Sequence, residues 1–473
     1  MKKLFSHKNK ILAGGLLIAL STLGSCKKLI QIPANPPTQI TRQQVFADSA
    51  TAISAVAGVY SYTPSQNSQG IPYEDGNFTV TTSLSGHEVT YTAGYGDYAQ
   101  FSSYTVTPIN AEVSALWSTP YSAIYQVNDV LGGITNNSNL SASFVKQITG
   151  EMEVVRAFYY FNMVNLFGGV PLVTTTDYAT NAQSPRASAS AIYTQILTDL
   201  ADAVKKLPAT YPSSGHVRAN LYTAVALQAK VHLYQGNWQA AYTEADSVIR
   251  LGGFNLEPNL NNVFLDGSAE AIWQVPIENT YGGSGDAQNF LPYSNNTTPN
   301  YVVTDSLVNQ FEAGDLRMAN WLGVNVVNGQ NVYFPAKYKD QQPTSPATDY
   351  MMLRLAETYL VRAEAAAELN NLSVAVADIN TIRARAGLAA VNPATQAAVL
   401  AAIVKERRTE LFTEWGSRWF DLNRTINDTK YPSSGKATAV LSGYSATNGD
   451  KLYPVPQAQI QLNSHLIQNP GYH

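Results

Sequence analysis

The sequence predicts a mainly α protein with little β structure, in which tetratricopeptide-like helix pairs form a scaffold interrupted by two long, loop-rich insertions. Three observations carry that prediction. Ala229–Ala245 (AKVHLYQGNWQAAYTEA) is repeated 134 residues later as Ala363–Ile379 (AEAAAELNNLSVAVADI). Small residues fall on small residues, and Gly236-Asn237 lies over Asn370-Asn371, so each unit is a helix, a tight turn and a helix that stack on their neighbours. Elsewhere the apolar residues recur every three or four positions, the period of a helix with one buried face. In residues 61–110 and 257–349 that period is lost and Ser, Thr, Asn, Gly and Tyr take over; loops this long in a compact domain are usually functional.

Taken in order, Thr41 stands three residues before Gln44, the capping-box spacing, and Val45, Phe46, Ile53, Val56, Ala57 and Tyr60 suit one helix face. The first insertion then carries Tyr91, Tyr95, Asp97 and Tyr98, with Gly94 and Gly96 beside Tyr95. Helical period returns with Trp117 to Leu131, and Phe144 to Leu166 predicts a longer helix ended by Gly168-Gly169 and Pro171. The scaffold therefore spans about 41–60, 111–256 and 350–425. The second insertion holds one expected strand, Ala271–Pro276, together with Tyr281, Tyr293, Tyr301 and Trp321. From Lys430 onward, Pro454, Pro456 and Pro470 prevent a long helix.

Only 14% of the 473 residues are charged while 28 are Tyr, so the surface suits hydrogen bonding and stacking on neutral polar ligands. The net charge of -4 argues against nucleic acid, which demands clustered positive charge. Lys2, Lys3, Lys8 and Lys10 precede an apolar run, Ile11 to Leu20, that is too short to span a bilayer. Residues 1–25 therefore read as a signal peptide. Cys26 is the single cysteine, so no internal disulfide forms. Leu23-Gly24-Ser25-Cys26 resembles a bacterial lipobox, which makes Cys26 the lipidation site and Pro-rich residues 26–40 a leash. A plain secretory signal with a stray thiol is the alternative.

The densest chemistry lies in Lys405–Thr425 (KERRTELFTEWGSRWFDLNRT). Gly416 predicts a helix ending near Trp415 and a second, short one continuing through Arg424. Helical spacing pairs Glu414 with Arg418, Arg418 with Asp421, and Asp421 with Arg424. Glu410 and Glu414, one turn apart, invite comparison with a glycosidase acid/base pair. So many arginines beside them favour an ion-paired network at a helix junction. No Gly-x-Ser-x-Gly elbow, phosphate-binding glycine loop or His-Glu-x-x-His helix occurs. His87-Glu88 fits a turn better than a catalytic dyad.

ERRTELFTEWGSRWFDLNRT resembles the C-terminal signature of the SusD-like (RagB/SusD) nutrient-binding lipoproteins of Bacteroidetes. RAFYYFNMVNLFGGVPLV (Arg156–Val173), LRLAETYLVRAEA (Leu353–Ala365), INTIRARAGL (Ile379–Leu388) and LYPVPQAQIQLNSHLIQNPGY (Leu452–Tyr472) are similar to that family too, in the expected order. Trp415 departs from it, standing where a small or polar residue is commoner. The resemblance implies a single SusD-like domain over 41–473, anchored in the outer membrane through acylated Cys26 and facing the cell exterior. It implies an oligosaccharide ligand handed to a SusC-like TonB-dependent transporter, with no catalysis, metal or cofactor. A peptide-binding member of the family and a glycoside hydrolase are the other readings. Aromatics in long polar loops lack a core to fill, so Tyr91, Tyr95, Asp97, Tyr98, Tyr281, Tyr293, Tyr301 and Trp321 are the candidate ligand-binding residues.

Overall fold

A computed structural model describes residues 40–62, 76–277, 283–341, 347–431 and 452–472. The signal peptide, Cys26, nearly all of the leash and Tyr281 lie outside the described residues. The Thr41 capping box forms, with Thr41 N–H donating to Gln44 Oε1 at 2.9 Å. The expected single helix is two, α1 (Arg42–Val45) and α2 (Ser49–Tyr62). Asp48 is the reason, because its carboxylate accepts from the N–H groups of Ala50 and Thr51, both at 2.9 Å, and starts a new helix.

The first insertion is less loop-like than its composition suggests. It contains α3 (Phe78–Ser85), β1 (Val89–Tyr91) and α4 (Asp97–Ser102). Every residue of α3 is buried although most are Thr or Ser. Thr81 and Thr82 satisfy their hydroxyls on the carbonyls of Asn77 and Phe78, four residues back, at 2.7 and 2.6 Å. The helix can thus be buried on all sides without stranding a donor there.

Scaffold helices α5 (Ala111–Ile134), α6 (Ala142–Phe167) and α7 (Ala189–Lys206) follow. Helix α6 ends where expected, at Gly168 in a positive-φ conformation of 72°. Its Arg156 grips Asp199 of α7 through two bonds of 2.8 Å. Helices α8 (Leu221–Tyr234) and α9 (Trp238–Leu251) form the first repeat unit. The second insertion supplies β2 (Ala271–Pro276), α10 (Gly285–Phe290), β3 (Tyr301–Val303), α11 (Leu316–Trp321), β4 (Leu322–Val327) and β5 (Gln330–Pro335). Strand β6 (Asp349–Arg354) leads into the second unit, α12 (Leu355–Glu368) and α13 (Leu372–Arg385).

Every boundary of that second unit lies 134 residues after its counterpart. Gly236 (φ 72°) and Asn370 (φ 60°) turn the two hairpins at equivalent positions. Ala229, Leu233, Ala241 and Ala245 pack with Val361 and Ala365, so the units stack through small residues. Helices α14 (Gln396–Glu410), α15 (Ser417–Thr425) and α16 (Gln457–Leu462) complete the chain. Among the described residues the strands pair only in antiparallel twos: β1 with β3, β2 with β6, and β4 with β5.

Four of the five sequence stretches quoted above meet in one core, while Ile379 and Ile382 of the remaining one pack in smaller clusters beside it. Trp415 packs on Phe158 of α6 at 4.7 Å and on Phe78 of α3 at 5.4 Å, and Trp419 stacks on Tyr453 at 6.0 Å. Between α14 and α15 the backbone takes positive φ at Thr413, Trp415 and Gly416. At Gly416 a Cβ would press against Thr82 and Phe78 of α3 at 3.2 to 3.3 Å, so this corner requires glycine for both conformation and space.

Candidate functional site

Strand β1 comes from the first insertion and β3 from the second, and their pairing brings the two together. Tyr91 stands opposite Tyr301. The rings stack with centroids 5.2 Å apart, and Tyr98 meets both edge-on at 6.0 Å. Phe290 closes the far side of Tyr301 at 5.6 Å. Burial raises the Tyr98 phenol far above its ordinary value, and the Glu112 carboxylate that accepts its proton adds to the effect. Tyr301 is only 3% exposed, so this trio is a rigid base with its accessible surface on Tyr91 and Tyr98.

Two loops leave the same end of the β1–β3 ladder. The first carries Tyr95, 76% exposed, between Gly94 and Gly96. Both glycines have positive φ, 71° and 81°, and nothing lies within 4 Å of where their Cβ atoms would be. They are therefore needed for backbone shape and not to avoid a clash. The second loop carries Tyr293, which is fully exposed. That loop is tied down on both sides: Thr92 Oγ1 donates to the Pro299 carbonyl at 3.0 Å, and Asn325 Nδ2 donates to the carbonyls of Ser294 and Thr297 at 2.9 and 2.7 Å. The Asp97 carboxylate already has a structural task. It accepts from Ala111 N–H at 2.9 Å and from Gln100 at 3.3 Å, fixing the start of α5.

Trp321 requires a correction. Its ring has no exposed surface, its Nε1 donates to the Leu260 carbonyl at 3.0 Å, and Lys337 Nζ lies 4.8 Å from its centre. The reason is its neighbours, a buried cluster of cations that the ring faces. Asn325 was not among the sequence candidates. Its signal was the Asn328-Gly329 pair between alternating strands, which marks a two-residue hairpin and would have placed Asn325 on β4.

The carboxylates Glu410 and Glu414 are engaged by distant arginines. Glu410 is fully buried and accepts from Arg354 at 2.6 Å, Arg317 at 3.3 Å and Arg385. Glu414 pairs with Arg354 at 2.7 Å and Lys337 at 2.5 Å. Burial alone would raise the Glu410 carboxyl, but Arg385, Arg354 and Arg317 hold it well below the usual range. A glycosidase acid must instead keep its proton near neutral pH and face a cleft, so these two residues are not such a pair. Of the three pairs expected from helical spacing, only Asp421–Arg424 forms, at 2.9 Å. The positive-φ corner turns Glu414 away from Arg418, and Asp421 is taken by Arg407 at 2.7 Å.

Glu88 sits in a turn beside that corner and accepts from Thr413 N–H at 3.1 Å. Burial pushes its carboxyl up to about 7, against the opposing pull of Thr413, Lys337 and Arg418. The folded state therefore holds this proton more tightly than the unfolded chain, where the group titrates near 4.5. Stability from it is fully present below about 4.5 and is lost as pH rises through about 7. Glu88→Gln is expected to stabilise the protein by about 3 kcal/mol at pH 8.5 and by almost nothing at pH 4.5. Urea unfolding at the two pH values measures the difference.

Two family models match this chain. One, described as "Starch-binding associating with outer membrane", covers residues 35–233, and one described as "SusD family" covers residues 319–472. The chain belongs to the SusD-like family. A SusD-like protein of Formosa agariphila is 26% identical over 96% of this chain and 98% of its own length. The SusD fold is shared with a SusD superfamily protein from Bacteroides vulgatus, with a TM-score of 0.77 at 21% identity over 90% of this chain and all of that one. A laminarin-binding SusD-like protein gives 0.72 at 25% identity, again over 90% of this chain and all of that one. The stretches that carry the SusD resemblance, Arg156–Val173 and Glu406–Thr425, form the packed core, whereas Tyr95 and Tyr293 lie outside all of them.

Proposed function

We propose that this protein is a lipid-anchored, glycan-binding member of the SusD-like family on the outer face of the outer membrane. It captures oligosaccharide and passes it to a SusC-like TonB-dependent transporter. Membership of a starch- and glycan-binding family supports the ligand class, and the family's association with the outer membrane supports the location. The observation that carries the reading is the placing of Tyr95 and Tyr293, exposed, on loops tied to one end of the β1–β3 ladder. Sugars present flat apolar faces that stack on such rings, and the surrounding Asn, Gln and Thr side chains suit hydroxyls. Anchoring rests on Leu23 to Cys26, since each buried acyl methylene contributes about 0.8 kcal/mol.

Isothermal calorimetry against starch, laminarin, other neutral glycans and a set of peptides tests the ligand class. Binding of at least one neutral oligosaccharide in preference to every peptide is expected; peptides binding with no glycan doing so would sink the reading. For the anchor, Cys26→Ala is expected to release the protein from the outer membrane and abolish incorporation of labelled palmitate. Retention with label would exclude lipidation at Cys26.

A further inference from the structure

We infer that the corner between α14 and α15 binds one monatomic anion, a halide of chloride size, in the cavity enclosed by Arg407, Arg408, Arg418 and Arg424. The cavity is lined by those four arginines with Asp421 and Tyr431 among its other walls. Its volume, measured by the centre of a water-sized sphere, is about 10 Å³, which is room for one small particle. A sugar is too large for it, and a single atom fills it with the least displacement of its walls.

Charge decides what that particle is. Arg407 is matched by Asp421 at 2.7 Å, and Arg424 by Glu364 at 2.6 Å and Asp421 at 2.9 Å. Among the described residues no carboxylate lies within ion-pairing distance of Arg408 or Arg418. Arg408 has one neutral partner, the Ser306 hydroxyl. Arg418 is 9% exposed and Arg407 3%, and Arg418 Nε, Arg408 Nε and Arg407 Nη1 are buried donors with no acceptor. An arginine cannot shed its proton to escape this position, and a buried charge without a counter-charge is costly. Burial pulls the Arg408 guanidinium down to about 10, and nearby Arg418 adds to it against the opposing pull of Glu88. Glu88 and Asp421 act on Arg418 only from beyond ion-pairing distance, Asp421 is already shared by Arg407 and Arg424, and burial pushes the Glu88 carboxyl up to about 7. A water molecule would fill the space and accept hydrogen bonds but neutralise nothing. A halide accepts from every donor and supplies the missing charge.

The test uses the purified full chain. Crystals soaked in sodium bromide are expected to show an anomalous peak between Arg407, Arg408 and Arg418. At constant ionic strength, replacing gluconate by 100 mM chloride is expected to raise the melting temperature by about 1 to 2 °C in a saturable way, and sulfate is expected not to. Arg418→Met should lose the chloride response while still melting cooperatively, and Arg408→Met serves if that variant fails to fold. An empty cavity in the bromide map overturns the proposal. So do identical melting curves in chloride and gluconate, or a chloride response that survives in both variants.

Discussion

Arg354→Ala is expected to destabilise the protein by about 3 to 5 kcal/mol or more, enough to leave much of the chain unfolded near 37 °C. Arg354 is 2% exposed, and its guanidinium holds three acids at once: Glu270 at 2.7 Å, Glu410 at 2.6 Å and Glu414 at 2.7 Å. Removing it leaves three carboxylates in a low-dielectric interior with Lys337, Arg317 and Arg385 as partial compensation. Breaking a buried pair costs far more than the pair's own net contribution, because the remaining charge cannot return to water. Arg418→Met provides the contrast. With no carboxylate in ion-pairing distance, its removal should cost much less, and in chloride-free buffer close to nothing. Thermal and urea denaturation of the two variants side by side checks this. Equal losses would mean that the acids around Arg354 are satisfied some other way.

Tyr95→Ala and Tyr293→Ala are each expected to weaken glycan binding about tenfold, taking a stacked ring as worth roughly 1 kcal/mol or more. The double variant should approach a hundredfold if the rings contact different sugar units, since separated sites add. Melting temperature should hardly move, because neither ring fills the core. Tyr301→Ala should behave differently. Its ring is the buried floor under Tyr91 and Tyr98, so stability and affinity should fall together. Calorimetry with the best ligand, with a melting curve for each variant, separates the two patterns. Parent-like binding by both exposed variants would place the site elsewhere.

Much of the scaffold was legible because it is local. The Gly168 stop and the Thr41 cap each depend on residues within a few positions of one another, each helix hairpin of the repeat is itself a short stretch, and spacing reveals them. The ionic corner was half legible. Glu410 and Glu414 were recognisable as ion-paired, but spacing offers only neighbours such as Arg407, Arg408 and Arg418, whereas Arg317, Arg354 and Arg385 arrive from other elements. Helix α3 was hidden by its own chemistry. Thr79, Thr81, Thr82, Ser83 and Ser85 read as a polar loop, and only folding shows that the helix is enclosed, with Thr81 and Thr82 bonded back along it. Aromatic content marked both insertions as places to look, yet composition cannot separate exposed Tyr293 from buried Trp321. That depends on whether cations such as Lys337 and Arg354 gather against the ring.

The β1–β3 ladder has three rungs, Val89 to Val303, Thr90 to Val302 and Tyr91 to Tyr301. The tips bearing Tyr95 and Tyr293 begin just past its last rung, and they share no residue with the arginine cluster or the helical repeats. The two regions are separate in what they hold: Tyr95 and Tyr293 fill no core, while Arg354, Gly416 and Trp419 sit in buried contacts of the frame. Chimaeras that swap those tips, turn glycines included, between relatives should therefore remain as heat-resistant as their parents and differ in the glycan they retain, which makes the ladder a seam between the frame that holds the shape and the tips that would choose the ligand.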